Sequence, residues 1–235
     1  RDAGATIRFA ASERALVLEQ FPSMAERCTT VRNVVDAEGV CKLAREPLGQ
    51  PLASFLREDH FLVTMIGRDD PLKNYPLAFA AAEILLARHP AMLFAFVGAP
   101  PETAERERLL RQYAGRIVIL PSLENTAALI ARSHTLMIPS KREGSPLVIL
   151  EAFALRTPVV GTDVAGIREA VRHEQNGLLC REASDALAAA VERLFLDRGL
   201  RERLAAGAAA TAAAMDLNAW VNAYRALYEQ LAGRQ

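Results

Sequence analysis

The chain has 235 residues, 51% hydrophobic and 24% charged, values expected of a soluble globular protein with one large or two small domains. Lys plus Arg equals Asp plus Glu at 28 each, so no net field recruits nucleic acid or an acidic membrane. No apolar run reaches the roughly 18 residues needed to span a bilayer, and no signal peptide is visible. The first residue is Arg1, inside what reads as a structural unit, as expected of a processed, trimmed or deliberately cut chain. Cys28, Cys41 and Cys180 have neither metal nor redox spacing, and the histidines pair with no Cys at zinc-ligand spacing. Buried thiols in a reducing compartment, and no metal site, are the expectation.

Residues 5–10 read as a strand, and Ser12 as the cap of a helix to about Gln20, stopped by Pro22. Residues 29–35 read as a second strand ending at Asp36. Residues 37–59 have poor periodicity and carry Gly39, Pro47, Gly49 and Pro51, the pattern of a linker. From His60 the pattern becomes regular. Strands are predicted at 61–66, 92–97, 116–120, 135–139, 158–161 and 178–180, the last after an Asn176-Gly177 turn. Helices are predicted between them at 75–89, 102–113, 125–132, 146–155 and 167–172. Three more close the chain at 184–196, 199–213 and 217–231, with Asp216 capping the last.

The strands are continuous apolar runs, so both of their faces should be covered. Strand and helix alternate from residue 60 to 196. The predicted fold is therefore α/β, a doubly wound parallel sheet with helices on both faces and the carboxyl-terminal helices packed around it. Ligands in such sheets bind beyond the carboxyl ends of the strands, which directs attention to the residues just after each one.

After the fourth regular strand comes Lys141-Arg-Glu-Gly-Ser-Pro-Leu-Val-Ile-Leu-Glu151. Pro146 suits a first helical position and Ser145 the cap before it. A helix start points free N–H groups and a positive dipole end forward, so an anion, above all a phosphate, is the natural occupant. Gly144 lets the backbone approach a ligand or simply makes the turn. Glu143 is a site acid or a surface one. Glu151, set among apolar neighbours, serves a ligand or pairs locally with Arg156. Arg68 and Lys73 follow the first regular strand with Asp69 and Asp70 between. They either clamp a diphosphate or pair with those aspartates in solvent. The glycine-rich loop 161–166 lines a sugar pocket or is a plain turn. No GxGxxG occurs, which argues against an ordinary dinucleotide site.

Taken in order, Gly67-Arg68 with Lys73, Phe96-Val97-Gly98, Glu143-Gly-Ser-Pro-Leu-Val-Ile-Leu-Glu151-Ala152, Pro158-Val-Val-Gly161, Gly166 and Asn176-Gly177-Leu178 form a recognisable set. So does the closing helix with Trp220, Tyr224 and Tyr228. The chain resembles the carboxyl-terminal, donor-binding domain of GT-B glycosyltransferases, most closely family 4, whose two glutamates are likewise separated by seven residues. Residues 1–36 resemble the end of the amino-terminal acceptor domain, with Asn33-Val-Val-Asp36 where the family usually has Asn-Gly-Val-Asp. That divides the chain into 1–36, a linker at 37–59, and a donor domain at 60–235. Asn74 stands where the family has Gly after the Lys.

The resemblance implies retaining transfer of a hexosyl-type sugar from a nucleoside-diphosphate sugar to an acceptor glycan or lipid. Arg68 and Lys73 would clamp the diphosphate, Glu143 would lie against the donor sugar, and Glu151 would bind the ribose hydroxyls. Gly67, Gly98, Gly144, Ser145, Pro146, Leu147 and Val148 would line the donor site, with the loop from Leu120 to Asn125 bordering the base. No cofactor and no metal are implied beyond the donor itself. The acceptor would bind through the missing amino-terminal domain, so this chain would bind donor but transfer little. The final helix would pack against that domain, leaving an apolar patch exposed or covered by another copy. The setting implied is cytoplasmic, in polysaccharide biosynthesis, with peripheral contact at the inner face of the cell membrane through the missing half. The alternatives are a non-catalytic nucleotide-sugar-binding module and a nucleotide-sugar epimerase of the same fold.

Overall fold

The computed structural model describes residues 6–8, 10–99 and 103–232. The main sheet has six parallel strands: β3 (Phe61–Ile66), β4 (Met92–Val97), β5 (Ile117–Leu120), β6 (Thr135–Ile138), β7 (Val159–Thr162) and β8 (Gly177–Cys180). Their spatial order is β5-β4-β3-β6-β7-β8. The chain thus winds outward from β3 to one edge, then returns past β3 to the other. That reversal between β3 and β6 opens a crevice at the carboxyl ends of the strands.

Alternate side chains of each strand feed opposite faces. Phe61, Val63 and Met65 of β3, with Met92, Phe94 and Phe96 of β4, join one core cluster. Two helices cover it: α4 (Tyr75–Arg88) and α9 (Ser184–Leu196). Phe79 meets Phe96 edge to face at 4.9 Å, the arrangement favoured by aromatic quadrupoles. Leu62, Leu93, Ala95 and Val97 face the other way, as do Leu136 and Ile138 of β6. Helix α6 (Ala127–Ile130), helix α7 (Leu147–Ala154) and helix α10 (Arg198–Ala213) close that side. The doubly wound expectation is met. The observed boundaries differ by one or two residues, except α8 (Ala165–Arg168), which starts two residues early and ends four early. Helix α5 (Ala104–Gln112) starts after the predicted Glu102, which lies outside the described residues.

The amino-terminal region differs more. A small parallel pair, β1 (Thr6–Arg8) and β2 (Cys28–Thr30), replaces the longer strands expected at 5–10 and 29–35; Ala5 and Phe9 lie outside the described residues. Past Thr30 the Val31 amide still donates to Arg8 O at 3.0 Å, and residues 32–36 then form no strand. Helix α1 (Ala11–Gln20) begins before Ser12, which therefore does not cap it. The cap comes from 158 residues away: Glu169 accepts from the Ala11 amide at 2.9 Å and the Ser12 amide at 2.8 Å. Ser12 Oγ donates to the same carboxylate at 2.6 Å. Residues 37–59 form α2 (Ala37–Leu43), capped by Asp36, and α3 (Leu52–Phe55), whose Leu52 is buried against the sheet. The Asn176-Gly177 pair is not a plain turn. Gly177 opens β8, and buried Asn176 bonds Ala170 O, the Arg172 amide and Thr211 Oγ1. Helix α11 (Leu217–Ala232) is capped by Asp216, as the sequence indicates, and leaves Leu217, Val221 and Tyr228 exposed. Among the described residues, no helix is long and apolar enough to cross a membrane.

Candidate functional site

A cleft of about 630 Å³ opens where the crevice is expected, over the carboxyl ends of β3, β4 and β5. Gly67, Arg68, Lys73 and Gly98 line it from one side, and Pro146, Leu147 and Val148 from the other. Pro121, Ser122, Leu123 and Thr126 form its far wall. Leu120 itself lies beneath, packing into the core while its carbonyl accepts from the Gly98 amide at 2.9 Å.

The sequence expectation for the helix start needs correction. Pro146 has ψ of 114°, so it is the extended cap position; Leu147 is the first helical residue, and Ser145 makes no capping bond. A proline cap carries no side-chain acceptor. The first helical amides, Leu147 and Val148, are therefore left for a ligand or water at the cleft wall.

Lys73 reaches across from the β3 side. Its Nζ donates to Glu143 Oε1 at 2.6 Å, and the Glu143 side chain is 10% exposed. Ser140 Oγ donates to the same oxygen at 2.6 Å, and Thr162 Oγ1 donates to Ser140 O at 2.5 Å. The Lys141 amide on Leu72 O holds the two loops together. Asp70 is occupied in capping the short 3₁₀ turn at Pro71–Lys73, so the pairing of Lys73 with its own aspartates does not form. Arg68 is exposed at the cleft mouth, without an ion-pair partner among the described residues. Asn74, at the position the family fills with Gly, adopts φ 57° and donates to Glu182 Oε1 at 3.1 Å.

Gly144 and Ser145 face a second, neighbouring cavity of about 510 Å³, shared with residues 30–34, Gly166, Glu169 and Trp220. Asn33 Nδ2 donates to Ser145 O at 2.9 Å, tying the amino-terminal segment to this loop. Gly166 is required by close approach: a Cβ there would lie 2.0 Å from Glu143 O. Most of the predicted site residues thus divide between two adjoining cavities, while Leu120, Glu143 and Glu151 line neither. Glu151 lies half-buried on α7 with no ion pair to Arg156, and burial pushes its carboxyl above its ordinary value.

Ser140 and Tyr75 hold the site loops without a role expected from sequence, and Asn33, noted there only within Asn33-Val-Val-Asp36, does so too. The one available signal was a polar residue directly after an apolar strand, at Ser140. Of the thiols only Cys28 is enclosed; Cys41 and Cys180 are half-buried, and burial pushes Cys180 up to about 11. Among the described residues, no three His, Cys, Asp or Glu side chains gather to hold a metal.

A six-stranded parallel sheet wound in this order, with a cationic cleft at its switch point, is the architecture of a GT-B glycosyltransferase domain. The profile of the group 1 glycosyl transferases matches residues 52–211, and the chain belongs to that family. It is 32% identical over 195 residues to the D-inositol 3-phosphate glycosyltransferase of Acidothermus cellulolyticus, covering 77% of this chain and 42% of the relative. It is 31% identical over 216 residues to glycogen synthase of Mycobacterium tuberculosis, covering 88% of this chain and 49% of the relative. Among solved structures, sucrose-phosphate synthase from Thermosynechococcus elongatus superposes with a TM-score of 0.81 at 24% identity, over all of this chain and 60% of that one. Anabaena Alr3699/HepE, solved with UDP and glucose, gives 0.77 at 20% identity, over 98% of this chain and 63% of that one. The chain spans about two fifths of the length of the first relative.

Proposed function

We propose that this chain is the donor-binding half of a retaining, family 4 glycosyltransferase that takes its sugar from a nucleoside-diphosphate donor. The observation that carries the reading is the cleft in which Arg68 and Lys73 face the first amides of α7. The donor diphosphate lies between them. The Pro121–Leu123 wall borders the base, Glu151 accepts the ribose hydroxyls, and Glu143 stands against the sugar. UDP and glucose in the Anabaena structure support a donor of this kind.

The difficult step is departure of the nucleoside diphosphate, when negative charge grows on phosphate as the sugar becomes oxocarbenium-like. Groups already fixed in place lower that barrier only if they hold the new charge better than the ground state's. Arg68 offers a planar fork, Lys73 a point charge, and the helix start two amides, so the reaction needs no divalent ion. Lys73 leaves Glu143 for the diphosphate as the donor enters. Glu143, still held by Ser140, then faces the sugar. Retention with a protein nucleophile calls for a second carboxyl group close to the bond. The Glu13 carboxylate comes against Gly144, where an added Cβ would lie 2.5 Å from its Oε1, while a same-face, substrate-assisted route needs no protein nucleophile.

The acceptor, a glycan or glycolipid, is bound mainly by an amino-terminal domain of which residues 1–36 are the end. The complete enzyme works in the cytoplasm, touching the membrane peripherally through that domain. This chain alone binds nucleoside diphosphate and transfers little. Calorimetry with uridine, guanosine and adenosine diphosphates tests the reading. One of the three binds wild type and is lost in Glu151→Ala; binding by none of them leaves a structural module instead.

A further inference from the structure

Tyr75 opens α4 directly beneath the cleft and is 2% exposed. Its hydroxyl lies 2.6 Å from Gly67 O and 2.9 Å from Val97 O. These carbonyls stand side by side where β3 and β4 end, joined by the Gly67 amide donating to Val97 O at 3.0 Å. The next residues, Arg68 and Gly98, line the cleft. Gly98 has φ of +81°, and a Cβ on it would come within 2.1 Å of Gly67 O. The Gly67 carbonyl is therefore pressed against Gly98 and held from below by the phenol. No other hydrogen bond to it is found among the described residues. Burial pushes the Tyr75 phenol well above its ordinary range, so the hydroxyl keeps the proton it shares between the two carbonyls.

We propose that Tyr75 is a positioning residue for donor binding: its hydroxyl bolts the ends of β3 and β4 together and so sets where Arg68 meets the diphosphate. This rests on the donor reading of the cleft. The ring itself packs against Phe79 at 5.8 Å, so the hydroxyl can be removed without emptying the core. Freed of the bolt, the Gly67 carbonyl turns toward solvent and carries the Arg68 backbone with it. The loss falls on the phosphate end of the ligand.

The test is calorimetry on this chain with the diphosphate that binds wild type and with its monophosphate. Wild type, Tyr75→Phe, Arg68→Ala and the double variant are compared, with melting temperature measured beside each. In Tyr75→Phe the diphosphate loses roughly tenfold more affinity than the monophosphate, and the double variant is little worse than Arg68→Ala alone. A merely structural role lowers the melting temperature but leaves the ligand ratio unchanged and the two effects additive. That result overturns the inference. Site-specific 3-fluorotyrosine at position 75 keeps the hydroxyl and binds as wild type does; binding as weak as that of Tyr75→Phe also overturns it. Failure of wild type to bind any of the three diphosphates overturns the donor reading, and this inference with it.

Discussion

Lys73 and Glu143, 70 residues apart in the chain, share a hydrogen bond of 2.6 Å across the mouth of the crevice. Each is the partner the other has while no ligand is present. A partly buried pair of this kind loses much when one member is removed, because the other is left charged and half-desolvated.

An entering diphosphate competes with Glu143 for Lys73. In the full-length enzyme, Lys73→Ala slows transfer by about ten- to a hundredfold, the value of one charge-assisted bond lost from the transition state. Glu143→Ala does the opposite to binding. It frees the ammonium, so nucleoside diphosphate binds this chain at least as tightly while transfer by the full-length enzyme collapses. Steady-state kinetics and calorimetry, read together, check both. Unchanged turnover in Lys73→Ala removes the clamp from the mechanism.

Glu151 is costly to the empty protein. Burial raises its folded pKa, so the ionised form opposes folding above that pKa, and the cost fades as pH falls through it. Glu151→Gln removes the charge and raises the melting temperature at neutral pH. The same change weakens nucleotide binding, because an amide has one acceptor where the carboxylate offers two to a ribose diol. In wild type, nucleotide affinity climbs with pH through the Glu151 titration. A flat pH profile, or a Gln variant that binds normally, removes Glu151 from the ribose.

Glu169 works with the opposite sign. Its burial acts to raise its pKa, but the Ser12 hydroxyl and the amides of Ser12 and Ala11 outweigh that and hold the carboxyl below its ordinary value. The stabilisation is complete above the unfolded pKa and is lost as pH falls through the folded one. The start of α1 therefore stays docked at neutral pH and loosens only as pH falls below the ordinary carboxylate range. Hydrogen exchange at the Ala11 and Ser12 amides reports this directly. Glu169→Ala brings the same loosening at neutral pH, at a cost of about 0.5–2 kcal/mol typical of a lost cap.

Gly98→Ala is expected to be severe. The residue has φ of +81°, and the added carbon would sit 2.1 Å from the Gly67 carbonyl oxygen, a backbone atom that cannot swing aside. Strain and displacement together cost at least about 2 kcal/mol, a drop of roughly 4–8 °C in melting temperature. Thermal denaturation checks it. Gly49, whose Cβ would meet nothing within 4 Å, is the control.

The regular half of the fold was legible because its strands are buried on both faces. Runs such as Phe61–Ile66, apolar but for Thr64, and Met92–Val97 are buried almost throughout, which makes them read as continuous strands. The amino-terminal half gave weaker signals. Residues 37–59 are polar enough to resemble a linker because α2 and α3 are short and only a few of their side chains, Leu52 among them, reach the core. Ser12 looked like a cap because the sequence shows a good capping residue. The actual acceptor arrives from Glu169, which no local rule can anticipate.

The residues alone establish a parallel α/β sheet, the loops at its functional end, and the charged and glycine-rich types those loops carry. Each follows from periodicity or backbone geometry within a few positions of the chain. Folding in three dimensions decides which of those residues meet. It joins Lys73 to Glu143, turns Gly144 and Ser145 toward a neighbouring cavity, and leaves Glu151 half-buried with no ion pair among the described residues. Contacts between loops as far as 70 positions apart depend on strand order and on how the helices seat against the sheet, and no local pattern in the chain encodes either.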